Sequence, residues 1–257
     1  MSLAVLLTDF GTKDYFVGVM KGVISQINPL LKIIDLTHEI EPQNVKQAAF
    51  VLWASRKFFP EDSIFVNVVD PGVGSDRKII CGRIDDRLYI APDNGLLDYV
   101  AAEGNVAEFY EVTNPKFFRS TVSSTFHGRD VFAPAAGYLS RGMNLNEFGN
   151  RFNYQDVSPF YLKPEKRGSI GQVVYHDKFG NIFTNFLWDD SLFDGNSAMK
   201  FGTRTITKFV RTYSDSKVRG PVGVKGSTGL IEIAVNRGNA CKVLKSRIGQ
   251  KIMLIVK

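Results

Sequence analysis

Four short polar turns hold the residue types that could do chemistry in this chain. Three follow apolar runs and combine an acidic residue with glycine, at 8–11 (Thr-Asp-Phe-Gly), 70–74 (Asp-Pro-Gly-Val-Gly) and 93–95 (Asp-Asn-Gly). The fourth, 125–130 (Thr-Phe-His-Gly-Arg-Asp), precedes a helical pattern. Ligands bind at the carboxyl ends of strands in open α/β sheets, so four such turns on one edge predict a site. Each turn alone also fits ordinary turn or cap chemistry.

Several other chemistries are disfavoured by the sequence. His38, His127 and His176 are far apart, and none has a partner at metal-ligand spacing. The sequence has no Walker phosphate loop, no GxGxxG turn and no GxSxG nucleophile elbow. We therefore expect no metal, and the usual nucleotide-fold fingerprints do not apply.

The elements that must position these turns alternate between strand and helix over residues 1–151. Apolar β-branched runs predict strands and 3.6-residue spacing predicts helices. Strands are expected at 4–8, 32–37, 63–69, 78–84, 87–91 and 107–112, and helices at 14–27, 44–60, 94–102 and 130–139. Asn44 and Asp130 are the expected caps, and Phe58 falls on the apolar face of the second helix. The alternation predicts an α/β domain with a largely parallel sheet.

The remainder of the chain has a different character. Residues 152–168 contain two prolines and no clear period, which predicts a linker between domains. Short strands separated by Gly, Asn, Asp and Ser are then expected at 171–175, 182–187, 199–201, 205–209, 230–234 and 251–256. Residues 169–257 are thus predicted to form a smaller all-β barrel domain.

The bulk properties limit the partners. The 257 residues suffice for two domains, and no apolar stretch reaches the length of a membrane span. The first residues lack a basic region, so a cytoplasmic protein is expected. Residues 161–257 carry 17 Lys and Arg against 7 Asp and Glu, whereas 1–160 carry 15 against 19. This asymmetry fits a nucleic-acid surface or two unlike halves that pack together, including between subunits, and the scattered basic residues disfavour nucleic acid.

Six motifs in chain order resemble those of the S-adenosylmethionine (SAM) hydroxide adenosyltransferase family, which is related to halogenating enzymes acting on the same substrate. They are the four turns above, the second followed by Arg77 and the third extended to 91–97, together with 177–181 (Asp-Lys-Phe-Gly-Asn, then Thr-Asn at 184–185) and 233–236 (Ile-Ala-Val-Asn). One such motif would be weak evidence, but six in order across nearly the whole chain form a specific match.

The resemblance implies an enzyme that cleaves SAM by attack of water on ribose C5′, giving adenosine and methionine, with no cofactor. It also implies an N-terminal α/β domain and a C-terminal β-barrel. The expected assembly is a homotrimer whose sites lie between the N-domain of one subunit and the C-domain of the next. Such an assembly would account for the opposite charges of the two halves.

Roles for individual residues follow from the resemblance. It implies that Asp9 binds the ribose hydroxyls, which a carboxylate can accept together. Asn181 is implied to pair with the adenine edge and Asp177 to hold the methionine ammonium group. Ser227 falls where the family contacts the methionine moiety. The implied contacts near adenine are those of Glu232 and of the backbone from Val235 to Arg237.

Asp70, Arg77 and His127 resemble the water-using branch of the family. The halogenating relatives carry a hydroxyl or aromatic residue where Asp70 and His127 stand, and the fluorinating enzyme has a serine at the position of Gly128. Thr228 stands where the halogenating relatives have an arginine, which leaves the partner of the methionine carboxylate open.

These three side chains suit a displacement by water. A sulfonium departs as a neutral thioether, so the enzyme needs an oriented nucleophile and a dry pocket rather than a general acid. His127 could accept the proton, Arg77 could stabilise developing hydroxide, and Asp70 could orient the water and neutralise Arg77. The sequence leaves open which of the three is the base.

Four alternatives remain at this stage. The three residues could be a structural ion pair beside a core histidine. A non-catalytic adenosine or SAM sensor would keep Asp9, Asp177 and Asn181 without needing the trio. A halide-using adenosyl transferase is the alternative within the enzyme class. A nucleic-acid binder would need aromatic residues interleaved with Lys and Arg, and no clear pattern of that kind is present.

Overall fold

The computed structural model describes residues 3–165, 168–193, 195, 197–215 and 220–256. The chain divides into two compact units, Met1–Ser158 and Pro159–Lys257, each built on one sheet. The division falls within the predicted linker 152–168, of which residues 166 and 167 lie outside the described residues.

The first unit contains a seven-stranded mixed sheet. Its strands are β1 (Leu3–Thr8), β2 (Lys32–Thr37), β3 (Ile64–Val68), β4 (Ile79–Ile84), β5 (Arg87–Pro92), β6 (Val106–Glu111) and β7 (Arg151–Phe152), in the order β2-β1-β3-β5-β4-β6-β7. The first four strands in this order pair in parallel, and the remaining pairings are antiparallel. The hairpin turn at 85–86 forces β4 against β5 in the antiparallel sense. The predicted α/β class is confirmed, but the sheet is mixed rather than largely parallel, and its parallel half carries the acidic turns.

Helices cover both faces of this sheet. They are α1 (Phe16–Ile27), α2 (Val45–Ser55), α3 (Asp98–Ala101) and α4 (Ala133–Leu139). Helices α1 and α4 pack on each other, and their buried side chains share one core with Ala4 and Leu6 of β1. Because side chains alternate along a strand, Val5 and Leu7 point to the other face, where α2 packs against β1.

Two helices are shorter than their patterns predict. Asn44 caps α2 as expected, accepting a bond from the Gln47 N–H at 3.0 Å, but α2 ends at Ser55. A 3₁₀ turn follows, and Phe58 is 84% exposed instead of lying on an apolar face. The predicted helix 94–102 contracts to the single turn α3, because Gly95 adopts a positive φ of 89°.

The predicted helix 130–139 also differs at its start. A π-helical turn, Gly128–Phe132, leads into α4, so Asp130 is not the cap. Asp130 is instead fully buried and accepts bonds from the Ser123 backbone N–H at 2.9 Å and from Arg129 Nε at 2.6 Å. Ser123 lies seven residues before Asp130 and has no recognisable sequence signal for this bond, which is why the cap prediction was wrong.

The second unit is an eight-stranded sheet with one short helix. Its strands are β8 (Ser169–His176), β9 (Ile182–Leu187), β10 (Ala198–Phe201), β11 (Arg204–Ile206), β12 (Phe209–Val210), β13 (Pro221–Lys225), β14 (Leu230–Val235) and β15 (Lys251–Ile255), and the helix is α5 (Ala240–Leu244). The order is β11-β10-β15-β8-β9-β14-β13-β12, and β11 also contacts β13, so the sheet curls back towards closure. The predicted all-β barrel is confirmed.

Two details of this barrel differ from the predicted strands. The segment 205–209 belongs to two separate strands, β11 and β12. Strand β13 has no counterpart among the predicted strands, because its Pro and Gly are turn signals. Gly223 is needed there because the ring of Phe209 occupies the space that a Cβ would fill. Within the described ranges, none of the helices combines the length and apolar character that a bilayer crossing requires.

Candidate active site

A cavity of about 400 Å³ opens at the carboxyl ends of β1 and β3. Its walls are the turns that follow these two strands, the segment 42–43 ahead of α2, and the segment 125–128 ahead of α4. Asp9, Asp70 and His127 all line it. The fold therefore brings three of the four polar turns to one place.

The fourth turn supports this cavity from behind. Asn94 Nδ2 donates to the carbonyl oxygen of Val69 at 2.9 Å, and Asn94 Oδ1 accepts from the Leu96 N–H at 3.2 Å. Because Val69 immediately precedes Asp70, this bond fixes the backbone from which the Asp70 carboxylate projects. The role of this turn is structural.

Asp70, Arg77 and His127 form one hydrogen-bonded chain. Arg77 Nε donates to Asp70 Oδ1 at 3.0 Å and to Oδ2 at 2.9 Å, while Arg77 Nη2 donates to Oδ2 at 2.6 Å. Arg77 Nη2 also lies 2.7 Å from His127 Nδ1. The side chains of Asp70 and Arg77 are 6% and 12% exposed, so the two charges neutralise each other in a partly dry site.

The turn 70–77 reaches His127 because of Gly74. This glycine has a positive φ of 81°, and a Cβ there would lie 2.5 Å from the carbonyl oxygen of Ser124. Only glycine permits so close an approach between the two segments. The contact brings Arg77 and His127, which are 50 residues apart in sequence, within hydrogen-bond distance.

The contact with Arg77 decides the tautomer of His127. A guanidinium has only donors, so His127 Nδ1 must be the acceptor and the ring proton is on Nε2. Burial first, and then the charge of Arg77, lower the pKa of His127 below its ordinary 6.5. The imidazole is therefore neutral at neutral pH and presents an N–H donor at Nε2.

Asp9 is held in the turn after β1. Its Oδ2 accepts a bond from the backbone N–H of Gln43 at 2.8 Å. Gln43 has a positive φ of 66°, which directs its N–H away from the following helix and towards Asp9. Gln43 acts through its backbone N–H in a loop, which has no side-chain signature, so the sequence alone does not point to it.

An aromatic wall closes one side of the cavity. Phe10, Phe16 and Phe126 line it and pack with ring centroids 5.2–6.0 Å apart, two of the three pairs edge to face. A Cβ on Gly128 would lie 3.2 Å from Phe126 and 3.4 Å from Phe10, so the small residue keeps this wall tightly packed. Such a wall gives an apolar surface to one side of the cavity that Asp70 and His127 also line.

The second unit brings together the remaining predicted site residues, beginning with Asp177 and Asn181. Asp177 Oδ1 accepts from the backbone N–H groups of Phe179 and Asn181 at 2.9 and 2.8 Å, and Oδ2 accepts from Asn181 Nδ2 at 2.8 Å. The side chain of Asn239 occupies the space that a Cβ on Gly180 would fill. This turn is thereby packed against the segment that follows β14, which begins after Val235 and contains Arg237.

Glu232 and Ser227 lie beside this turn. Glu232 is buried, its Oε2 accepts from the hydroxyl of Tyr213 at 2.9 Å, and the Ser227 backbone N–H also bonds to its carboxylate. Burial raises the pKa of Glu232, and the negative charge of Asp177 adds to the rise. Tyr213 belongs to a 3₁₀ turn without a recognisable pattern, so the sequence alone does not point to it.

No three His, Cys, Asp or Glu side chains converge as metal ligands in the part of the chain that the structure describes. In the first unit, the carboxylates of Asp9 and Asp70 supply hydrogen-bond acceptors beside an apolar aromatic surface. In the second unit, the carboxylate of Asp177 and the amide of Asn181 lie together in one turn.

Comparison with known proteins agrees with this description. The chain matches the model of the SAM hydroxide adenosyltransferase N-terminal domain over residues 4–149 and that of the C-terminal domain over 171–253. The chain belongs to this family, as its motifs predicted.

Relatives named as hydrolases match this chain over nearly its whole length, and a fluorinase matches part of it. An (R)-S-adenosyl-L-methionine hydrolase of Thermus thermophilus is 33% identical over 97% of this chain and 98% of that protein. One of Methanocaldococcus jannaschii is 33% identical over 95% and 92%. A fluorinase of Actinoplanes is 29% identical over 70% of each chain. An uncharacterized conserved protein of Thermotoga maritima has a crystal structure that superposes with a TM-score of 0.87 at 37% identity, covering 99% of this chain and 100% of that one.

Proposed function

We propose that this protein hydrolyses SAM, transferring the oxygen of water to ribose C5′ and releasing adenosine and methionine. The observation that carries the proposal is the hydrogen-bonded chain of Asp70, Arg77 and His127, of which Asp70 and His127 line the cavity. The full-length relatives named as (R)-SAM hydrolases support the same reaction.

The geometry supports distinct roles for the trio. His127 presents Nε2–H, which donates to the attacking water, while the Asp70 carboxylate accepts a proton from it. As the C5′–O bond forms and the C5′–S bond breaks, the water oxygen becomes a strongly acidic oxonium, so a weak carboxylate base suffices. Sulfur takes the bonding pair and leaves as a neutral thioether. Arg77 is neutralised by Asp70, so it orients the carboxylate without repelling the sulfonium.

We assign different parts of the substrate to the polar residues of the first and of the second unit. Asp9 accepts from the ribose hydroxyls, Asn181 pairs with adenine, and Asp177 holds the ammonium group. Ser227 contacts the methionine moiety, and Glu232 and the backbone from Val235 to Arg237 complete the adenine region. Thr228 Oγ1 is buried without a hydrogen-bond partner among the described residues, so its hydroxyl is available to the methionine carboxylate.

The assembly and location complete the proposal. We propose a cytoplasmic homotrimer in which the N-domain of one subunit and the C-domain of the next form each site. No cofactor takes part, because the sulfonium is already an activated leaving group. Nucleic acid and membrane are not proposed as partners.

The sulfonium configuration is part of the proposed specificity. The hydrolase relatives are named for the (R) epimer, and we propose the same preference here. Incubating a mixture of both epimers and following each by proton NMR measures the preference. Faster loss of the (S) epimer would contradict it.

The reaction is tested in ¹⁸O-labelled water containing chloride, with the nucleosides analysed by mass. We expect labelled adenosine from the natural protein and none from Asp70→Ala. A 5′-chloro nucleoside would move the chain to the halogenating branch. Unchanged substrate with measurable binding would identify a sensor.

A further inference from the structure

A buried histidine outside the cavity is connected to the turn that carries Asp9. His38 follows β2, is 3% exposed, and does not line the cavity. Its Nδ1 lies 2.9 Å from the hydroxyl oxygen of Thr8, the last residue of β1. The same hydroxyl oxygen accepts a bond from the Phe10 backbone N–H at 3.2 Å. His38 is therefore linked to both neighbours of Asp9, directly to Thr8 and through the Thr8 hydroxyl to Phe10.

The environment of His38 sets the direction of these bonds. His38 Nε2 lies 3.0 Å from Asp35 Oδ1, although its alignment is outside hydrogen-bond geometry. The Thr8 hydroxyl oxygen already accepts from the Phe10 N–H, so we assign the hydroxyl proton to the bond with Nδ1 and the ring proton to Nε2, on the side of the Asp35 carboxylate. Burial raises the pKa of Asp35, but Lys21, at 2.7 Å, and His38 together outweigh this effect. The pKa of Asp35 is therefore lowered, and its carboxylate stays ionised. The hydroxyl is thus committed to donate towards His38 and to accept from Phe10.

A second bond joins His38 to the far end of the same turn. The Gly11 N–H donates to the His38 carbonyl oxygen at 2.7 Å. The segment that begins at His38 continues to Gln43, whose N–H holds Asp9 Oδ2. His38 therefore bonds to both ends of the turn 8–11, and it begins the segment whose residue Gln43 donates to the Asp9 carboxylate.

We propose that His38 is a positioning residue that fixes the Asp9 carboxylate for the two ribose hydroxyls, acting through Thr8 and the turn 8–11. The inference rests on the proposed function, because it assumes that Asp9 receives ribose. A bond to a carboxylate is worth more when the carboxylate is held in one place before the ligand arrives. The contribution of His38 is consequently specific for ligands that carry both hydroxyls.

The test compares adenosine with 2′,3′-dideoxyadenosine by calorimetric titration of the full-length protein. His38→Leu removes the acceptor at similar volume, and Thr8→Val removes the donor without changing shape. We expect each variant to bind adenosine about tenfold more weakly, the loss of one bond to a charged group, with dideoxyadenosine affinity unchanged. His38→Asn keeps an acceptor near the position of Nδ1 and is expected to restore most of the adenosine affinity.

A matched control separates positioning from general destabilisation. Ser63 is buried at the opposite end of β3 and donates to the Pro60 carbonyl oxygen at 2.6 Å, so Ser63→Ala loosens the same unit away from the turn. We expect it to lower thermal stability without changing the ratio of the two affinities.

The outcomes distinguish this inference from the proposed function. Equal losses for both nucleosides in His38→Leu and Thr8→Val would overturn the positioning role while SAM hydrolysis by the natural protein stood. Failure of the natural protein to bind adenosine or to hydrolyse SAM would overturn the proposed function and this inference together. If His38→Leu does not fold, Thr8→Val decides the question alone.

Discussion

At the residue scale, the hydrogen-bonded chain of Asp70, Arg77 and His127 depends on the ion pair between Arg77 and Asp70. Arg77 directs three bonds to Asp70 and one to His127, so it sets the position of both partners. Removing one member of a partly buried ion pair leaves the other without compensation. The proposed roles therefore need substitutions that keep shape and polarity while changing a single chemical property.

Asp70→Asn is such a substitution. The amide oxygen still accepts from Arg77, but the side chain no longer takes a proton from water. We expect kcat to fall by about 10²–10⁴-fold, the usual contribution of a general base, with little change in SAM affinity. Single-turnover rates and a binding titration measure the two quantities. Asp76→Asn, in the same loop on an exposed residue, is the matched control, and an equal loss there would contradict the assignment.

The pH profile tests the tautomer of His127. Protonation occupies Nδ1, which must accept from Arg77, and places a second positive charge beside it. Because the pKa of His127 is lowered, we expect activity to be constant around neutrality and to fall only when the pH drops below 6.5. His127→Asn offers a non-titrating acceptor near Nδ1, so its profile should lose this acid limb. A limb above 6.5 that depends on His127 would contradict the lowered pKa.

At the element scale, the site depends on where two loops approach each other. Strands β1 and β3 are parallel neighbours, so their following turns emerge on the same edge and carry Asp9 and Asp70 to one cavity. His127 comes from a different element, the residue ahead of the π-helical turn. The backbone contact at Gly74 sets the distance between these two parts.

Gly74 and Gly142 have the same backbone conformation but different surroundings. Substituting each with alanine therefore distinguishes the effect of backbone strain from that of a steric clash. Gly74 and Gly142 have φ of 81° and 84°, but a Cβ would meet Ser124 at Gly74 and nothing within 4 Å at Gly142. Gly142→Ala is expected to cost about 1–2 kcal/mol of unfolding free energy and to leave kcat unchanged.

Gly74→Ala carries the same strain together with the backbone clash. We expect a larger loss of unfolding free energy and a fall in kcat, because Arg77 moves away from His127. Urea denaturation and steady-state rates measure both effects. Equal stability and activity in the two alanine variants would show that the contact with Ser124 does not position the site.

At the scale of the whole molecule, the polar residues are divided between two units. Met1–Ser158 contains Asp9, Asp70, Arg77 and His127, and Pro159–Lys257 contains the residues assigned to adenine and methionine. The first part of the chain is acidic and the second is basic, so unlike halves of neighbouring subunits attract each other in the proposed trimer.

Complementation between inactive variants tests the shared site. Asp70→Asn disables one half of each site and Asp177→Asn the other. When equal amounts exchange subunits, random trimers should regain roughly a quarter of the intact sites, because adjacent subunits then supply one natural half each. Sedimentation measures the trimer, and activity is assayed before and after mixing. A trimer that stays inactive after verified exchange would place both halves in one subunit.

The sequence by itself determined most strands of both sheets, the hairpin at 85–86 and the family. Runs of β-branched residues and two-residue turns are local signals, and six motifs in order are specific without any structure. The tertiary structure alone decided that Phe58 is exposed, that Asp130 is buried instead of capping a helix, and that His38 holds the turn of Asp9. His38 and Thr8 are 30 residues apart, whereas Asp130 bonds to a residue only seven positions before it. All three features depend on how the strands and loops pack, which helix and strand periodicity does not encode.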